Sequence, residues 1–112
     1  MTEKGLKYLS DIIRAVDLIE DFTKSISSFT EFNADLKTQS AVERQLAIIG
    51  EAVNKFDQLH LEDTLENARK IVGFRNRLIH AYDAVDSSIV WTIVHRYIQP
   101  LKEEVKARMA QS

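Results

Sequence analysis

The chain has 112 residues, no cysteine, and 15 basic against 17 acidic side chains for a formal charge of −2. That length suits one domain, residues 1–112, around one core; the absent thiols exclude disulfides and thiolate metal sites, and the near-balanced charge excludes a global positive field for nucleic acid. Lys4, Lys7, Asp11, Arg14, Asp17 and Glu20 break up the N-terminus, so it lacks a signal peptide's apolar centre, and there is no run of about 18 apolar residues to span a membrane; the expectation is a cytoplasmic protein.

Leu6, Leu9, Ile12, Ile13, Val16, Ile19 and Phe22 recur at three and four residues and predict a first helix over about 4–24. Ser25 to Ser28 weakens the pattern, because serine hydroxyls compete for backbone hydrogen bonds, and the Ser28/Glu31 spacing of a capping box suggests a short helical piece near 30–36. A second box, Ser40/Glu43, precedes the periodic run Val42, Leu46, Ile49, Val53 and Phe56. Gly50 inside that run costs roughly 1 kcal/mol against alanine, so a neighbouring backbone is expected to approach it. Residues 57–62 read as a connection, and Asp63/Glu66 as the box that opens a third helix through Leu65, Ala68, Ile71, Val72, Arg75 and Leu78. After a polar break over 82–86, Asp86 caps a further helix with Ile89, Val90, Ile93, Tyr97 and Leu101 on its buried stripe. Pro100 cannot donate to the carbonyl of Arg96, so this last helix should kink or restart there. With no strand-like alternation, the predicted fold is all-α, an antiparallel bundle of four to five helices.

Chemistry concentrates in Gly73-Phe74-Arg75-Asn76-Arg77-Leu78-Ile79-His80-Ala81-Tyr82. Arginine holds phosphate oxygens in a planar fork, and histidine, with an unperturbed pKa of about 6.5, exchanges protons near neutrality. Arg69, Lys70, Arg75 and Arg77 bring four positive charges to residues 69–80 without a carboxylate, leaving −6 on the rest of a chain whose total is −2. A polyanion should bind here. On a regular helix, at about 100° per residue, positions 75 and 80 lie about 140° apart, so they meet over one phosphate only if the helix frays near His80 or a second subunit supplies the complement.

Arg75, the polar Asn76, His80 and Tyr82 form an Arg-x4-His-x-Tyr pattern that resembles the signature of HEPN-domain proteins, in the small helical branch containing HepT toxins. The resemblance extends to a leading helix over Tyr8 to Phe22, to Val42-Glu43-Arg44-Gln45-Leu46 running into Ile49-Gly50-Glu51-Ala52, and to Val85-Asp86 through Ile89-Val90-Trp91. It implies a metal-independent endoribonuclease, the toxin of a toxin–antitoxin pair, acting as a homodimer whose shared cleft gathers the motif from both chains. It also implies Arg75 and His80 as the catalytic pair, Asn76 as their polar companion, and a minimal nucleotidyltransferase (MNT) antitoxin as partner. That partner would transfer AMP from ATP to Tyr82; the toxin itself would use no cofactor. Arg77 either assists phosphate binding or is a solvated charge.

Structural explanations stand beside these. Cations at a helix C-terminus offset the macrodipole by roughly 0.3 to 1 kcal/mol each, and Tyr82 reads equally as a half-buried aromatic. Arg69, Lys70, the pair Glu62-Asp63 and the pair Glu103-Glu104 read as solvated faces. His60 and His95 read as structural or solvated, with no metal-ligand spacing, and Trp91 and Phe56 as core. The runner-up function is a catalytically silent, nucleotide-binding or regulatory helical subunit of a nucleotidyltransferase. No Walker loop, dinucleotide fingerprint or paired aspartates suggest that the chain itself transfers nucleotides.

Overall fold

A computed structural model describes residues 2–60, 64–81 and 86–111, with side chains in the helix over 66–81 described as far as Gly73. Among these residues there are six helices and no strand: α1 (Glu3–Thr23), α2 (Phe29–Ala34), α3 (Leu36–Leu59), α4 (Glu66–Ala81), α5 (Ser87–Arg96) and α6 (Ile98–Ala110). The all-α expectation holds. The count exceeds four to five because the last expected helix is divided and the short second piece is a true helix.

Each start has a local cause. The Gly5 amide donates to the Thr2 hydroxyl at 3.0 Å, opening α1. The Ser28 box forms as expected: the Glu31 amide donates to Ser28 Oγ at 3.2 Å, while the Glu31 carboxylate accepts from the Ser27 amide and hydroxyl. The expected start of α3 at Ser40 is wrong. The helix begins at Leu36, because the Asp35 carboxylate accepts from the Thr38 amide at 3.0 Å and from its hydroxyl at 2.6 Å. A carboxylate at a helix N-terminus also meets the positive end of the macrodipole, which a serine hydroxyl does not. Ser40 lies one turn inside.

Gln39, buried despite its amide, donates to the carbonyls of Phe32 at 2.7 Å and Asn33 at 3.1 Å, so it satisfies the end of α2 from within α3. Asp86 caps α5 as expected, accepting from the Ser88 amide at 2.9 Å. The division between α5 and α6 falls at Tyr97, three residues ahead of Pro100. The proline has no N–H for the Arg96 carbonyl, so α5 ends there and Pro100 sits in the first turn of α6, where its missing donor costs nothing.

The core joins Leu9, Ile12, Val16 and Ile19 of α1 to Val42, Leu46, Ile49, Val53 and Phe56 of α3, with Phe32, Leu65, Ala68, Ile71, Val90, Ile93, Leu101 and Val105 closing it from the other elements. Helix α3 has its largest interface with α1 and also packs on α4. A shallow cleft lined by Lys7, Tyr8 and Asp11 with Ile48, Glu51, Ala52 and Lys55 shows α1 and α3 running in opposite directions. On the outer side of α1, Lys102 of α6 reaches Asp17 at 2.9 Å and Glu20 at 3.4 Å, and its hydrogen bond to Asp17 raises the ammonium pKa. Trp91 packs its ring against Phe32 at 5.3 Å and Phe29 at 6.4 Å, and Phe56 is fully buried, so both serve the core as expected. No described helix is long and apolar enough to cross a membrane.

Candidate functional site

All of the motif but its last position falls in the second half of α4. Backbone positions 75, 76, 77 and 80 all lie within this helix, which runs without a break to Ala81. Their side chains, and Tyr82 altogether, lie outside the described residues. The unbroken helix bears on one of the two arrangements left open by the sequence, since the backbone does not fray at His80. Positions 75 and 80 therefore sit about 140° apart around one axis.

The anchoring of α4 differs from expectation. Asp63 lies outside the described residues, but the helix starts at Glu66 rather than immediately after it. The amides of Glu66 and Asn67 each donate to the Glu104 carboxylate, both at 3.1 Å, from 38 and 37 residues away in sequence. Just before them the Leu65 amide donates to the Asp57 carboxylate at 3.2 Å, within the last turn of α3. Glu104 is thus no wet-face acid: α6 caps the helix that carries the motif. Ala68 and Ile71, both fully buried, fix the inward face of α4, while Arg69 and Lys70 are exposed as expected.

From its start beside the end of α3, α4 runs back along α3. Val72 and Gly50 border a groove of about 510 Å³ together with Arg44, Ala47, Ile48, Glu51 and Asn54. Gly50 is buried in α3. Glu51 is tied to Lys55 at 2.9 Å, and the hydrogen bond and charge of that lysine hold its carboxyl below the ordinary value. Glu43, half-buried one turn before Ala47, is pushed above its ordinary value by burial. Gly73, the first residue of the motif, is exposed, and a Cβ added there would meet nothing within 4 Å.

The remaining histidines are accounted for by packing. His60 stacks on Phe56 with ring centroids 4.4 Å apart, its Nε2 buried without a hydrogen-bond partner. His95 lies against Trp91 at 3.8 Å, with Nδ1 3.0 Å from the Trp91 carbonyl oxygen. Among the described residues no group of three or more His, Asp or Glu side chains is arranged to hold a metal ion. Sequence reasoning missed the roles of Asp35, Glu104 and the α3 side of the groove. Only Asp35 carried a signal, as a capping residue four positions ahead of Gln39.

The chain resembles known proteins over most of its length. A protein of Thermococcus cleftensis named probable ribonuclease HepT is 46% identical over 99 residues, covering 85% of this chain and 86% of its own. A Methanocaldococcus jannaschii relative is 33% identical over 109 residues, covering 95% of this chain and 98% of its own. The fold is shared with a tri-AMPylated HEPN toxin of Shewanella oneidensis solved in complex with an MNT antitoxin, at a TM-score of 0.72 and 18% identity over 98% of this chain and 99% of that one. The family model described as ribonuclease HepT-like matches residues 12–108, which takes in α3, the Glu104-capped start of α4 and the whole motif: the chain belongs to the HepT-like family.

Proposed function

We propose that this protein is a metal-independent endoribonuclease, the toxin of a HEPN/MNT pair, working as a homodimer and held in check by a nucleotidyltransferase partner. The observation that carries the reading is an Arg75-x4-His80-x-Tyr82 motif in a HepT-like chain, with positions 75 and 80 on one continuous helix. Because positions 75 and 80 diverge by about 140° on that helix, one protomer is poorly built to present both to a single phosphate, which favours completion of the site by a second copy.

In the proposed reaction a ribose 2′-hydroxyl attacks the adjacent phosphorus. His80 of one protomer takes the hydroxyl proton, and the partner subunit's His80 gives a proton to the departing 5′-oxygen. The products are a 2′,3′-cyclic phosphate and a free 5′-hydroxyl. The Arg75 guanidinium groups offset the charge that gathers on the phosphoryl oxygens, with Asn76 and Arg77 supporting them, and no step requires a metal ion. AMP carried by Tyr82 would add an anionic phosphodiester beside Arg75 and exclude RNA by mimicry. The relative's ribonuclease name and the AMP-bearing state of the Shewanella toxin support these assignments.

The test is subunit dilution. Wild-type and His80→Ala chains are unfolded together, refolded as mixed dimers and assayed on single-stranded RNA. If each site needs both imidazoles, activity falls with the square of the wild-type fraction, to about a quarter at equal mixing; independent sites give about half. Each proton-transfer role is worth about 10²- to 10⁴-fold, so the His80→Ala homodimer should be nearly inactive. RNA cut equally by wild type and His80→Ala refutes the assignment, and intact RNA with tight nucleotide binding favours a silent regulatory subunit.

A further inference from the structure

The groove between α3 and α4 is not used by the reaction just described, yet it leads toward it. Val72 borders the same groove as Arg44, Gly50 and Asn54. From Val72, at about 1.5 Å per residue, His80 is about 12 Å further along α4, in the direction of the Arg44 end of antiparallel α3. Arg44 is therefore at the end of the groove toward which the motif runs, on the neighbouring helix. Position 76 follows Val72 on nearly the same side of α4, and positions 75 and 80 flank that side at about 60° and 80° to either hand.

Charge within the groove favours an anion. Arg44 is exposed and forms no ion pair with any described residue. The opposing carboxylate, Glu51, is already matched by Lys55. Glu43, the next acid on α3, is half-buried and adjoins Arg44 in sequence without pairing with it. Among the described residues the Arg44 guanidinium of the groove has no carboxylate partner, and its planar fork suits a phosphate diester.

We propose that this groove is the path of the RNA strand next to the cleaved linkage, with Arg44 clasping a backbone phosphate adjacent to the scissile one. The proposal rests on the ribonuclease reading. It assigns Arg44 to substrate binding, not to the chemical step. Half-buried Val72 and exposed Asn54 line the far end, offering a base an apolar surface and a hydrogen-bonding amide.

The test measures binding of a mixed-sequence single-stranded RNA to the intact, non-cleaving His80→Ala protein over a series of salt concentrations. Loss of one phosphate contact on a single strand lowers the slope of log K against log salt by about 0.7. Arg44→Gln in that background should lower it by this amount and weaken binding about tenfold. Arg44→Lys should keep the slope while weakening binding less, and Lys106→Gln, at an exposed position of α6, should change neither. An unchanged slope in Arg44→Gln, in a protein whose wild type cuts RNA, overturns the groove and leaves the ribonuclease reading standing. A wild type that neither binds nor cuts RNA overturns both. Dissociation of Arg44→Gln to monomers in light scattering also overturns the groove, since the face would then be buried against a second copy.

Discussion

The start of the motif helix depends on a residue from the far end of the chain, which makes Glu104 the sharpest point at which to perturb this fold. A helix N-terminus leaves its first amides without intrahelical acceptors, and here Glu66 and Asn67 both find theirs on the Glu104 carboxylate at 3.1 Å. Glu104→Ala removes two charge-assisted hydrogen bonds and the carboxylate's favourable position at the positive end of the α4 dipole. Capping substitutions cost about 0.5–2 kcal/mol and the dipole contribution is about 0.3–1 kcal/mol, so with partial replacement by water the expected loss is about 1–2 kcal/mol. For a domain of this size that lowers Tm by about 4–8 °C. Glu104→Gln, keeping one acceptor oxygen without charge, should lose about half as much. The assay is urea and thermal unfolding beside native-state hydrogen exchange, in which the Glu66 and Asn67 amides should lose protection first. The neighbouring Glu103→Ala is the control, since Glu103 is exposed. If Glu104→Ala melts with wild type, or if Glu103→Ala matches its loss, the cap contributes nothing and the reasoning fails.

Gly73→Ala should stabilise the protein by about 0.5–1 kcal/mol in urea unfolding, because α4 gains a better helix former and the added methyl meets open space. If that variant is more stable yet loses cleavage, a partner or substrate approaches the helix at this point. Asp35 is held below its ordinary carboxyl pKa, first by the Thr38 hydroxyl and then by the Thr38 amide. A depressed carboxyl contributes stability above the unfolded value of 3.8, and loses it as pH falls through the folded value. The urea midpoint of wild type should therefore fall more steeply below about pH 4 than that of Asp35→Asn, and parallel acid limbs would contradict this. On the proposed function, incubation with an MNT antitoxin and ATP should add the mass of AMP to the Tyr82 peptide and abolish RNA cleavage, with Tyr82→Phe unmodified; an unshifted peptide counts against that regulation.

Helix α1 was legible from its uninterrupted apolar stripe and the start of α5 from its Asp86 cap, and the Ser28 box was legible because its two members lie three residues apart. The start of α3 was misread because Ser40 and Asp35 are both acceptable caps, and their ranking depends on Gln39 being buried under α2, which no spacing reveals. Pro100 announced a break but not its position: the helix ends where a carbonyl loses its donor, at Arg96, rather than at the ring itself. The motif was readable as residues, since Arg75, Asn76, His80 and Tyr82 lie within eight positions. Whether His80 sits on a frayed end or a continuous helix was not, because both continuations suit the same local sequence.

By itself, then, the sequence determined the helical class, the Ser28 and Asp86 caps, the family, and the Arg75-x4-His80-x-Tyr82 pattern on which the proposed chemistry rests, because each of these depends on groups a few positions apart. Tertiary structure alone decided that Glu104 holds the start of the motif helix from 38 residues away, and that Arg44 and Val72 share one groove. Contacts of that range exist only after the core between α1, α3 and α6 has closed, since burial of apolar side chains, and not local hydrogen bonding, sets which helix ends meet.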